Sequence, residues 1–153
     1  MDDVRIVGIR CNRSFDDILK HFIGLGGEVI LMDPAHVYGK DHIISAMMHA
    51  ERAFRNGTNR SKTMLTETIL YAAGERQISK ALAKMKPKEG CEAMVAATFG
   101  IKDLRLDMIE ATEDDSMIAC TPEKAERLGI DPLNIRLEDR ALEMVAMMDI
   151  QKQ

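Results

Sequence analysis

The sequence predicts a mixed α/β fold of the α+β kind: a helix-rich layer packed on a small β-sheet, with residues 1–153 in a single domain. Three observations predict it. The opening alternates strand-like and helix-like composition. Apolar residues then recur at helical spacing from about residue 41 to 86, with breaks at Asn56-Gly57 and Gly74. An unbroken apolar run, "CEAMVAATF", follows and reads as an interior strand. At 46 % hydrophobic and 30 % charged residues, the chain falls in the soluble globular class.

In order, "VRIVGIR" (4–10) has strand composition. Ser14 opens a helix with Asp17 three residues on, an approximate capping box, and Phe15, Ile18, Leu19, Phe22 and Ile23 follow at helical spacing. "GLGG" ends that helix, and "EVILM" (28–32) is a short buried strand closed by Asp33-Pro34. Asp41 is expected to cap a helix with Ile43, Met47, Ala50 and Phe54 on its buried stripe. Asn59 or Ser61 is expected to cap a third helix, in which Leu65, Ile69 and Ala72 give an apolar side that stops or bends at Gly74. A fourth runs from about 75 to 86, with Ile78, Leu82 and Met85 on one face and Pro87 and Gly90 at its end. "DLRLDMIEA" fits a strand or a short helix, "EDDS" a turn, and "MIAC" a strand. "TPEKAERLG" carries a full set of helix signals: Thr121 as cap, Pro122 at the first position, Gly129 after the end. A last helix is predicted over about 137–150.

The three cysteines, Cys11, Cys91 and Cys120, form no CxxC pair, and their odd number argues against a disulfide framework. They read as buried apolar thiols, and twelve methionines take up packing that scarce aromatics leave. No apolar run approaches the roughly 18–20 residues needed to span a bilayer. The N-terminus has acids where a secretory signal would carry bases, so the expected location is cytoplasmic.

Chemistry-bearing motifs are few. In "GLGG" the glycines follow a helix and open a strand, the reverse of a phosphate loop. His42 and His49 are two turns apart, whereas metal-binding pairs sit three or four residues apart. Glu113, Asp114 and Asp115 crowd a predicted turn and read as solvated. Nothing pairs a nucleophile with a base, so no catalytic residue, metal or cofactor is expected.

Charge is the informative feature. Residues 52–88 hold nine bases against two acids, a balance of +7 in a chain of net charge −4, which leaves the remainder at −11. Screening acts over about 8–10 Å, so such a patch attracts an anion that the whole chain repels. Arg76, Lys80 and Lys84 lie on one helical side, opposite Ile78, Leu82 and Met85. Arg60 and Lys62 at a helix start oppose the macrodipole, and suit an anion instead. Charge alone leaves open whether an anion binds or the stripe is merely solvated. In the last helix Leu137, Ala141, Met144, Val145 and Met148 fill one face while Leu142, Met147 and Ile150 point elsewhere, which fits either deep burial or a docked partner.

The run "HIISAMMHAERAFRNGTNRSKTMLTETILYAAGERQISKAL" (42–82) resembles the small kinase-binding subunit of the KEOPS (EKC) complex. The likeness rests on the Ala-rich helix, the 59–62 helix start, Glu67 within "TETILYAAG" and the "GERQI" turn, and with the strand–helix–strand opening and late helices it covers most of the chain. KEOPS makes the threonylcarbamoyl-adenosine modification of tRNA. The resemblance implies a non-catalytic subunit that binds the N-lobe of the small atypical kinase/ATPase subunit and recruits tRNA by its 3′ CCA end. It places RNA contact at Asn59, Arg60, Lys62, Arg76, Gln77 and Lys80, and kinase contact at Met147 and Ile150. Met47 and Met48 are left open as further contacts. Stacking platforms for RNA are nearly absent, with Tyr71 the aromatic between the two base clusters, so affinity would rest on phosphate contacts and on the Arg60 and Arg76 planes. Rival readings are an enzyme or ligand-binding domain holding an anion at Arg60 and Lys62, and a protein-interaction module without RNA.

Overall fold

The computed structural model describes residues 3–90, 92–119, 121, 123–124 and 137–151, with the side chains of 141–150 in the last helix. The chain is α+β, with a four-stranded antiparallel sheet and a set of helices. It divides into two compact units, Met1–Pro34 with Lys86–Ile118, and Ala35–Met85 with Ala119–Gln153.

The first unit holds the sheet. Strands β1 (Arg5–Arg10), β2 (Glu28–Met32), β3 (Ala93–Phe99) and β4 (Thr112–Glu113) lie in the order β2-β3-β1-β4, all antiparallel. Helix α1 (Phe15–Gly24) begins at Ser14, whose hydroxyl accepts the Asp17 N–H at 3.1 Å. One sheet face gives Val7, Ile9, Val29, Leu31, Met94 and Ala96 to a core with Ile18 and Phe22 of α1. Full burial of each large apolar side chain there is worth about 1.5–3 kcal/mol. Cys11 is among them, its thiol donating to the Ile109 carbonyl at 3.3 Å. The ambiguous segment forms a 3-10 turn, Leu106–Ile109. Among the described residues of "MIAC", 117–119, the expected strand is not formed. Asp114 accepts the Ser116 N–H at 3.1 Å and winds Asp115–Met117 into a 3-10 turn instead.

The second unit is helical: α2 (Lys40–Asn56), α3 (Met64–Ala73), α4 (Ile78–Met85) and α5 (Leu137–Gln151). Helix α3 packs against each of the other three. Helix α2 buries Ile43, Ala46, Met47, Ala50 and Ala53, and its small alanines allow close approach; Phe54 is half-buried. Helix α5 buries Ala141, Val145 and Met148. Asp41 does not cap α2. The cap is Gly39, at φ 85° and ψ 161°, a conformation suited to a residue without Cβ. Asp41 falls in the first turn, where an acid suits the macrodipole. Neither Asn59 nor Ser61 caps α3. Thr63 does, its hydroxyl accepting the Thr66 N–H at 3.1 Å. The buried face of α3 is Glu67, Thr68 and Leu70 to Ala73, with Leu65 and Ile69 half-buried.

Of the short helix expected after Thr121, only Thr121, Glu123 and Lys124 are described, and there the Thr121 hydroxyl accepts the Lys124 N–H at 3.2 Å, as a cap does. Cys91, Cys120 and the Leu137 side chain lie outside the described residues.

Candidate partner and nucleic-acid interfaces

The segment before α3 is organised by an acid. Glu67 is fully buried, and its Oε1 accepts the N–H groups of Arg60 and Ser61 and the Ser61 hydroxyl, each at 3.0 Å. Asn59 ties the same turn by donating its amide to the Ser61 carbonyl at 2.9 Å. The backbone donors that the sequence offered to an external anion therefore serve an internal carboxylate. Pulling them toward Glu67 delays the helix to Met64 and leaves Arg60 and Lys62 in the turn with exposed side chains.

The far end of α3 is satisfied carbonyl by carbonyl. Gly74, at φ 67°, donates to Leu70 and Tyr71, and Glu75 donates to Leu70, a Schellman arrangement. His42 Nε2 meets the Ala72 carbonyl at 2.8 Å, and Lys84 Nζ donates to Ala73 at 2.9 Å. Lys84 is thereby turned inward, a correction to its expected place in the outer stripe. The turn at Gly74 also delays α4 to Ile78, so Arg76 and Gln77 stand exposed in the connection and Lys80 is exposed on the helix. On α4 only Ala81 and Met85 are buried; Ile78 and Leu82, expected inside, are exposed.

The nine-base span divides between the units. Lys86 and Lys88 belong to the first, where Lys86 Nζ lies 5.3 Å from the centre of the Phe15 ring. A cavity of about 600 Å³ there is lined by Arg13, Phe15, Lys86, Lys88, Glu89 and Met94 among others, and by neither Arg60 nor Lys62. Among the described residues no cluster of His, Cys, Asp or Glu is placed to hold a metal.

On α5, Met147 and Ile150 are exposed, Ile150 at 63 %. On α2, Met47 is buried and Met48 is 61 % exposed, so of the two residues the sequence left open only Met48 faces solvent. Tyr71 offers no stacking surface: it is buried, and its hydroxyl donates to Asp149 of α5. His49 of α2 donates from Nδ1 to the same carboxylate at 2.7 Å. Burial works against the charge of Asp149, but these hydrogen bonds and the nearby Arg52 outweigh it and hold the carboxyl below its ordinary range. Burial and the bond to Asp149 push the Tyr71 phenol up.

Sequence reasoning passed over Asp149 and missed the roles of His49 and Glu67. The signal available was at Glu67, the one charged residue of α3; Asp149 shares α5 with Glu138, Asp139, Arg140 and Glu143, so nothing in the sequence singled it out.

A family model described as kinase binding protein CGI-121 matches residues 18–131, about three quarters of the chain. The chain belongs to the kinase binding protein CGI-121 family. The match covers both base clusters of this CGI-121 family member and ends before α5, so it includes Asn59 to Lys80 but not Met147 and Ile150. A search of curated proteins found no match. No helix among the described residues is long and apolar enough to cross a membrane.

Proposed function

We propose that this protein is a non-catalytic, cytoplasmic subunit of a tRNA threonylcarbamoyl-adenosine modification complex of the KEOPS type. It binds the N-lobe of the small atypical kinase/ATPase subunit, supports its activity, and recruits tRNA by the 3′ CCA end. Membership of a kinase-binding family carries the kinase part of this reading. Exposed Met147 and Ile150 give the partner an apolar docking face on α5. Exposed Arg60, Lys62, Arg76 and Lys80, with Asn59 and Gln77 beside them, supply cations for phosphates and a planar guanidinium for bases.

Ile150→Glu places a charge in that face while leaving the core intact. Affinity for the kinase subunit should fall about a hundredfold, as read by calorimetry, with unfolding temperature unchanged. Wild-type affinity in the variant would remove α5 from the interface. Replacing Arg60, Lys62, Arg76 and Lys80 together with alanine should weaken tRNA binding at least about tenfold. The salt dependence should flatten by about 0.7 in log K per log salt for each lost contact with unpaired RNA. Circular dichroism should be unchanged, because all four side chains are exposed.

A protein-interaction module without RNA is the second reading. It is favoured by the Arg60 and Ser61 N–H groups, which already bind Glu67, and by Lys84, which is turned inward. A wild-type chain that does not bind tRNA would establish it over the first, and unchanged binding and salt slope in the fourfold variant would remove these four residues from any RNA contact.

A further inference from the structure

Asp149 stands at the seam of α2 and α5, directly before exposed Ile150. Its side chain remains 43 % exposed. Two acceptor positions are filled, Oδ1 by the Tyr71 hydroxyl and Oδ2 by His49 Nδ1. A carboxylate has about four, so two remain on the open side. Exposed Arg52 of α2 lies near enough to act on this carboxylate, and exposed Ile150 follows it on α5. Arg52 Nη2 approaches His49 Nδ1 at 3.4 Å, and no Lys or Arg among the described residues forms an ion pair with Asp149 within 4.0 Å.

A partner centred on Ile150 that reaches across to Arg52 takes water away from this carboxylate. A dried, ionised acceptor with open lone pairs is costly unless the partner supplies donors, and a cation is the best of them. The carboxylate is also fixed in advance by Tyr71 and His49, so little ordering is lost when a donor arrives. We propose that Asp149 is a specificity contact of the α5 docking face, and that it receives a lysine or arginine from the kinase subunit at a point surrounded by apolar contacts. This rests on the kinase-binding reading above and names the partner chemistry it requires. Arg selects best, since its planar fork matches the two open carboxylate positions.

The test measures binding of the full chain to the small kinase subunit across a range of salt. Asp149→Asn keeps the shape and an acceptor for Tyr71, removes the charge, and turns an amide toward His49. It should weaken binding about tenfold or more and flatten the salt dependence. Asp149→Glu should restore the salt slope. Glu143→Gln, which removes a charge from an exposed position on the same helix, should leave both nearly unchanged. Arg52→Glu removes a competing cation at an exposed position, and should tighten binding about threefold even if Asp149→Asn folds poorly. Wild-type affinity and slope in Asp149→Asn would overturn the inference and leave the proposed function standing, as would weaker binding by Arg52→Glu. An equal loss of slope in Glu143→Gln would assign the effect to overall helix charge and overturn it too. A wild-type chain that does not bind the kinase subunit would overturn the proposed function itself.

Discussion

Glu67→Ala should lose about 4 kcal/mol of stability, the largest effect expected from a single side chain here. The carboxylate is fully buried and receives three donors from the turn at Arg60 and Ser61. Each donor left without an acceptor in a dry site costs about 1–3 kcal/mol, and removing one side of a buried charged contact typically costs 3–5. With a urea slope of about 2 kcal/mol per molar, the unfolding midpoint should drop by about 2 M with the slope unchanged. Hydrogen exchange gives a local readout. The Arg60 and Ser61 amides should be slow in the wild type and fast in the variant. Glu67→Gln should fall between, because one oxygen still accepts while the amide faces donors. Retained stability together with retained protection of the two amides would show that another group holds the turn. In the proposed RNA interface, Glu67 sets where the Arg60 and Lys62 side chains leave the surface, so a moderate loss of tRNA binding should accompany the loss of stability.

The parts of the fold that rest on local physics were legible in the sequence. Ser14 and its Asp17 partner mark the start of α1, the apolar runs at β1, β2 and β3 are strands, and Gly74 ends α3. Those signals lie within a few residues of the structure they specify. The misreadings share one cause. Ser61, Asn59 and Asp41 all have cap chemistry, and pattern alone does not say which is free to use it. Ser61 and Asn59 are committed to the turn that Glu67 organises, and Gly39 adopts a backbone that starts α2 before Asp41 is reached. At "MIAC" the apolar run lost to Asp114, whose side chain captures the Ser116 N–H and closes a turn. The candidate interfaces show the same limit. Sequence could count nine bases but not see Lys84 drawn to the Ala73 carbonyl, or Lys86 settled over Phe15. It could set Met147 and Ile150 off the main apolar stripe of the last helix, but it left burial and a docked partner both open. It could not find the Tyr71–Asp149–His49 contact, whose members are separated by up to 100 residues.

Mild acid should weaken the helical unit through His42. The ring is buried, with Nδ1 accepting the Tyr38 N–H at 3.0 Å and Nε2 donating to the Ala72 carbonyl at 2.8 Å. That pairing fixes the neutral tautomer protonated at Nε2. A second proton on Nδ1 would face the Tyr38 donor. Burial is the main reason the pKa falls from 6.5 to about 4; the Ala72 bond works the other way, and the charges of Lys84 and Lys124 lower it further. The folded-state value lies below the unfolded one, so between pH 6.5 and 4 the unfolded chain binds more protons. The contribution is therefore intact above pH 6.5 and is lost as pH falls toward 4, by about 3 kcal/mol at roughly 1.4 kcal/mol per unit. Below pH 4 His42 adds nothing more. Asp114, held at about 2 by its hydrogen bonds to Ser116 and Arg10, loses its contribution only below 3.8, so the two windows are separate. Urea midpoints taken from pH 7 to 4 read the effect. His42→Gln keeps a donor and an acceptor but cannot titrate: it should be less stable at pH 7 and flat through the window where the wild type declines. A wild-type midpoint that stays level from pH 7 to 4.5 would show the ring to be protonated at no cost. Because His42 holds the Ala72 carbonyl two residues before Gly74, the same titration should loosen the turn that carries Arg76 and Gln77. Hydrogen exchange of the Gly74 and Glu75 amides should therefore quicken in the same pH window.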